Sequence, residues 1–220
     1  MLKRINVLLF FALLMHSSCI EIIDDLLIKN DGSGTLKYTL NLSSSKVKIN
    51  SILALDTFNN QRVLKKEEIK NKIEIFKQVL KSKPGISKVE LNEDFEEYIF
   101  KFSCNFTDAY CLQDALYSAY DSLQSGQRNT RKFEWIQWNN KTLTRSIPDI
   151  DIFKNIKIKE EDNEQLKNGY YTSITRFDSE IQRISNNSAK ISKSKKACLL
   201  KVDMHSFKSN RKLLETKITL

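Results

Sequence analysis

The chain has 220 residues, of which 29% are charged and 40% hydrophobic, with a formal charge of +9. That length supports one domain with a real core, or two small ones at most. Both signs of charge are mixed along the chain, and the densest basic stretch, Lys190–Lys196 (KISKSKK), is short. This is not the Arg/Lys stripe of a nucleic-acid binder, so nucleic acid is excluded as the expected partner.

The first residues set the frame. Lys3 and Arg4 precede an unbroken apolar run, Val7–Met15, and His16-Ser17-Ser18 then leads to Cys19. A basic flank, an apolar centre and small residues before a cut describe a secretory signal. The run is too short to span a bilayer, which takes about 20 apolar residues. A cysteine directly after the small residues resembles the lipobox of bacterial lipoproteins, although His16 stands where that box has Leu or Val. The expected organisation is a signal peptide over 1–18 and one exported α+β domain over 19–220. Cys19 is the expected site of lipid attachment. Removing Lys3 and Arg4 with the signal takes the charge from +9 to +7. Two or more acyl chains, palmitate among them, would hold such a protein firmly.

Ile20–Ile28 reads as a strand whose alternation is interrupted by Asp24 and Asp25. Asn30-Asp31-Gly32-Ser33-Gly34 follows, rich in residues that tolerate positive φ. Leu36, Tyr38, Leu40 and Leu42 then alternate with polar residues, which predicts a half-buried strand and a hairpin. Ser43–Ser45 offers helix caps for a segment running to about Leu55. Asp56–Leu64 reads as a loop. Over Lys66–Lys81, Ile69, Ile73, Phe76 and Leu80 share one face of a helix that Pro84-Gly85 stops.

Val89 and Leu91 open a second hairpin with its turn at Asn92–Asp94, and Tyr98, Phe100 and Phe102 alternate out of it. Thr107 is placed to cap a helix whose stripe is Leu112, Ala115, Leu116, Ala119 and Leu123, closed by Gly126. Phe133–Trp138 and Leu143–Ile147 flank an Asn139-Asn140 turn. A short helix is expected across Glu160–Lys167. Tyr170–Phe177 and Ala197–Val202 read as strands, Asn186-Asn187 as a turn, His205–Arg211 as a polar stretch and Leu213–Leu220 as a last strand. Hairpins followed by helices predict an α+β fold: an antiparallel sheet with helices packed on one face.

Chemistry is sparse in this pattern. The mature chain holds one histidine, His205, too few for an HExxH site or a histidine cluster, and no nucleophile elbow is present. No catalytic residue, metal or cofactor is expected. With Cys19 lipidated, three cysteines are left, and Cys104 and Cys111 are the expected disulfide, because a strand end and a helix start should lie close together. The alternating sheet residues and the helix stripe also suggest an apolar groove between sheet and helices. Its expected lining is Leu36, Tyr38, Leu40, Tyr98, Phe100, Phe102, Leu112 and Leu116, and its expected ligand a lipid or other apolar molecule.

Cys19-Ile20-Glu21, Asp31-Gly32-Ser33-Gly34, and the block from Tyr171-Thr172 through Phe177 and Asn186-Asn187 to Ile218 resemble small, largely uncharacterised bacterial lipoproteins. A remoter similarity is to mycobacterial lipoproteins with a sheet-and-helix domain, some thought to bind lipid. The expected anchor and the lack of catalytic constellations point to a cell-envelope protein, anchored at the outer membrane or the periplasmic face, with a binding or structural role and no enzymatic one. The alternatives are an enzyme with scattered catalytic residues and a plain secreted protein without a lipid anchor.

Overall fold

The structure, a computed structural model, describes residues 20–123, 134–146 and 168–220. The expected signal segment, Cys19, Gly126 and the expected helix at Glu160–Lys167 lie outside the described residues. The fold is α+β, as the pattern of hairpins and helices predicts. Strands β1 (Glu21–Ile28) and β2 (Gly34–Asn41) form the first hairpin, with Glu21 opposite Asn41 and Ile28 opposite Gly34. The turn between them uses its residues differently. Asp31 Oδ1 accepts from the Ser33 N–H at 2.9 Å and from its hydroxyl at 2.7 Å, while Gly32 takes the left-handed conformation at φ 86°.

A 3₁₀ turn at Ser43–Ser45 leads into α1 (Lys46–Leu53). The expected loop that follows contains a small hairpin, β3 (Thr57–Phe58) and β4 (Gln61–Arg62), turned by Asn59 and Asn60, both at positive φ. Helix α2 (Lys66–Lys81) has the expected ends. Glu68 closes it by accepting from the Lys65 N–H at 2.8 Å. Strands β5 (Ile86–Asp94) and β6 (Ile99–Phe106) are longer than expected, and their turn lies at 95–98, so Tyr98 leaves the strand pattern with φ 55°. Asp108, rather than Thr107, caps α3 (Ala109–Leu123), accepting from the Cys111 N–H at 2.8 Å.

The remaining elements are β7 (Ile136–Asn139), β8 (Thr142–Arg145), β9 (Tyr170–Phe177), β10 (Arg183–Ile184), β11 (Lys190–Ile191), β12 (Ala197–Asp203), α4 (Met204–Ser209) and β13 (Thr216–Thr219). Seven strands form one sheet in the order β11-β12-β9-β1-β2-β6-β5, and four form a second in the order β10-β13-β8-β7. Two details go beyond that expectation. The large sheet is not wholly antiparallel, because β1 and β9 run parallel in register from Glu21–Tyr170 to Ile28–Phe177. The helices also do not cover its face alone, because the second sheet packs over its middle.

Alternation explains the layering. Ile22, Asp24, Leu26 and Ile28 point inward from β1, and Glu21, Ile23, Asp25 and Leu27 point outward. Leu26, Ile28, Leu36, Cys104, Phe106 and Phe177 of the large sheet pack against Ile136, Leu143 and Ile218 of the small one. Leu80 of α2 meets Ala115 and Ala119 of α3 beside Phe102, and Met204 and Phe207 of α4 meet Ile22 and Leu200. Trp138 stacks on Phe177 with ring centroids 6.3 Å apart, under the turn at Gly32.

Gly34 is a strand residue with no room for a side chain. A Cβ there would lie 1.9 Å from the Leu27 carbonyl oxygen and 2.6 Å from Phe106 Cζ. Gly34→Ala should therefore destabilise the protein by about 3 kcal/mol, the upper part of the range for overpacking. A urea midpoint within error of the parent's would contradict this.

Candidate functional site

The expected apolar groove is filled. Leu36, Phe102, Leu112 and Leu116 belong to the packed core, with Phe76 edge-on to Phe102 at 5.7 Å. Tyr38 and Leu40 pack on the separate cluster around Ile22, Met204 and Phe207. Phe100 takes an edge-to-face contact with Phe95 at 5.2 Å, and the buried Tyr98 donates its hydroxyl to Asn50 Oδ1. The eight residues thus serve separate packings. The second sheet and α4 occupy the face on which a groove would have opened.

The expected Cys104–Cys111 disulfide is not formed: both are free thiols, as is Cys198. Cys104 points into the core from β6 and is 1% exposed, and burial pushes its thiol up to about 12. Cys111 lies in the first turn of α3, its Sγ 3.1 Å from Asp108 Oδ2 and close against Gly85. Burial, and then the Asp108 carboxylate, raise its thiol too. Among the described residues no group of three His, Cys, Asp or Glu side chains could hold a metal ion. His205, in the expected polar stretch, is instead a half-buried residue of α4, which Asp203 caps by accepting from the Ser206 N–H at 2.8 Å.

Between the two apolar clusters lies a charged layer. Asp24 of β1 and Arg145 of β8 are 2% and 6% exposed. Arg145 Nη1 donates to Asp24 Oδ1 at 2.9 Å and Nη2 to Oδ2 at 3.2 Å. The carboxylate is completed by the Ser173 hydroxyl at 3.0 Å and the Tyr171 hydroxyl at 2.7 Å. Arg145 Nη1 also reaches the hydroxyl oxygens of Ser173 and Thr175. Burial alone would lower the Arg145 pKa, but the attraction of Asp24 and its hydrogen bonds carry it above the ordinary value. Burial, reinforced by the Asp24 charge, raises the phenols of Tyr38 and Tyr171. The layer thus pairs one carboxylate with one guanidinium, with the two phenols beside them. Chemically it is a clamp between the sheets.

Two open depressions lie on the surface. One, of about 520 Å³, is bordered by Arg145, Ser146, Asn186, Ser188, Lys212 and Lys217. Asn186 holds its wall, donating from Nδ2 to the carbonyls of Leu213 at 3.0 Å and Glu215 at 2.8 Å. The other, of about 560 Å³, lies between α1 and the β5–β6 turn, lined by Lys46, Asn50, Leu53, Lys66, Phe95 and Tyr98. The Lys66 and Lys70 ammonium groups sit 5.2 and 5.8 Å from the Phe95 ring centroid.

Sequence reasoning missed Asp24, Arg145, Tyr171 and Ser173 as a unit. The legible sign was Asp24 itself, a carboxylate at an inward position between Ile22 and Leu26. Ser173 and Thr175 at inward positions of β9 were the matching sign.

Two predictions follow from this geometry. Asp24→Asn or Arg145→Met alone should cost about 3–5 kcal/mol, because each strands a buried charge. The double variant Asp24→Asn/Arg145→Met should cost less than the two single changes together, as read by urea denaturation. Strict additivity would show that the pair is not coupled. In the native protein a thiol-reactive dye at pH 8 should label Cys111 first and reach Cys104 and Cys198 only in denaturant. Native labelling of all three at equal rates would contradict the burial described.

No protein-family model and no curated protein matches the chain. Among solved structures, the NMR structure of the folded domain of Mycobacterium tuberculosis LppM is similar over 93% of this chain and 89% of its own. The TM-score is 0.41 and the identity 6%. A similarity at this level carries no argument about family or activity.

Proposed function

We propose that this is an exported protein held on a membrane of the cell envelope by lipid at Cys19, and that it works there by binding or as a structural component rather than by catalysis. The observation that carries the reading is the run Val7–Met15 ending in Ser17-Ser18-Cys19. The folded body starts at once after it. Ile20 packs on the α4 cluster and Glu21 is already paired on both sides. Lipid at Cys19 would therefore hold the body close to the bilayer without a spacer. No helix among the described residues is long and apolar enough to cross a membrane. The depression beside Arg145 is lined by Ser, Asn and Lys side chains, which suit a polar group. An apolar ligand between sheet and helices is not part of the reading, because that space is packed.

The mass of the N-terminal peptide of the native chain tests the anchor. It should begin at Cys19 and carry acyl mass. In Cys19→Ala that mass should vanish, and the protein should leave the membrane pellet after a high-salt wash with its circular dichroism unchanged. A native N-terminus without lipid would make this a plain secreted protein.

A further inference from the structure

Resting on the proposed lipid at Cys19, we infer that the rim of the large sheet from which the chain emerges is its membrane-contacting end, with α1 lying in the lipid interface. The register defines that rim. Glu21 pairs with Asn41 and Tyr170, Asn41 with Ile99, Ile99 with Asp94, and Tyr170 with Asp203. Ile20 leads into it, and α1 begins five residues beyond Asn41. The opposite rim carries Ile28, Gly34, Phe106 and Phe177. At about 3.3 Å per residue, the eight residues of β1 set the rims roughly 23 Å apart.

The surface of α1 is unlike that of its neighbour. Val47, Asn50 and Ser51 of α1 are exposed, as are Ala54 and Leu55 just past its C-terminal end, Val47 at 82% and Leu55 at 45%. None is charged, and the Ser51 hydroxyl is spent on the Val47 carbonyl at 2.9 Å. Helix α1 buries none of its residues and contains no acidic side chain. Helix α2 instead shows water a mixed face, with Lys66, Glu67 and Glu74 beside Ile75 at 47% exposure. Val47 and Leu55 stand out as large apolar side chains open to solvent, with Lys46 and Lys48 on either side of Val47. Lys46 is held by Glu97 across the neighbouring depression at 2.6 Å.

The occupant is lipid because of where the chain leaves. Cys19 is one residue from this rim, so the tethered bilayer is within reach of α1. The Lys190–Lys196 stretch, the densest basic segment, joins β11 to β12 at the opposite rim and faces away. Acyl chains fix the protein to the bilayer, and α1 would fix its orientation.

The test uses the full lipidated chain on vesicles of phosphatidylethanolamine and phosphatidylglycerol with brominated acyl chains. Val47→Trp reports on α1 and Ser194→Trp on the far rim, each read above the Trp135 and Trp138 background. The emission added at position 47 should fall roughly twofold, as for a side chain about 5–10 Å into the headgroup–acyl boundary, and that at 194 should not change. Quenching at 194, or a 47 signal unquenched on vesicle-bound protein, overturns the inference and leaves the anchor standing. A 47 signal shielded from both bromine and aqueous acrylamide also overturns it, since protein rather than lipid then covers α1. Failure of the chain to float with vesicles removes the anchor reading and this inference with it.

Discussion

The packing of the two sheets depends on the bond between Asp24 and Arg145. The large sheet supplies the carboxylate from its central strand and the small sheet supplies the guanidinium. Arginine is long enough to cross the space between facing sheets, about 10 Å, and its planar fork fits a carboxylate two bonds at a time. Ser173 and Tyr171 use the rest of the carboxylate, so the charge is enclosed without an unmet lone pair. Because strand side chains alternate with period two, a one-residue slip of β8 would turn Arg145 outward and strand Asp24 in the core. The pair sets the register of one sheet over the other, which apolar contacts alone specify only loosely.

Local structure was legible where one residue type decides it. Strict alternation gave β2, a run of β-forming residues gave β9, a single apolar stripe gave α2, and Asp31-Gly32-Ser33-Gly34 gave the first turn. The misses have physical causes. Helix α4 was hidden because its buried residues are only Met204 and Phe207, too few for a visible period. Asn59-Asn60 is the same kind of turn signal as Asn139-Asn140, but its strands are two residues long and show no alternation. The direction of β9 beside β1 leaves no mark in either strand, since an inward–outward pattern is the same in parallel and antiparallel pairs. For the same reason the small sheet could be read as hairpins but not placed over the face where a groove was expected.

That placement decides where recognition can occur. With the middle of the inner face sealed by the small sheet, one side by α2 and α3 and the other by α4, the interior is spent on stability. Cys104, Leu112 and Leu36 answer to packing, and their chemistry is closed to solvent. Among the described residues, those that face water include the rims, the exposed faces of α1 and α2, the two depressions and the outer sheet face. On that outer face Asp25 and Arg176 form a bidentate pair beside half-exposed Ile23 and Leu27.

The central position of β1 has a consequence for the order in which the chain assembles. β1 precedes every other described strand, yet one of its neighbours is β9, and Asp24 meets Ser173 across 149 positions. Closing a loop of that length costs about 4 kcal/mol of chain entropy before any contact repays it, and non-local pairing of this kind slows folding. The hairpin of β1 and β2 can form early, but one edge of β1 stays unpaired until the last third of the chain arrives. Completion is thus a late, C-terminal event: an N-terminal fragment would carry a bare strand edge and an uncompensated aspartate, and only the finished chain closes both.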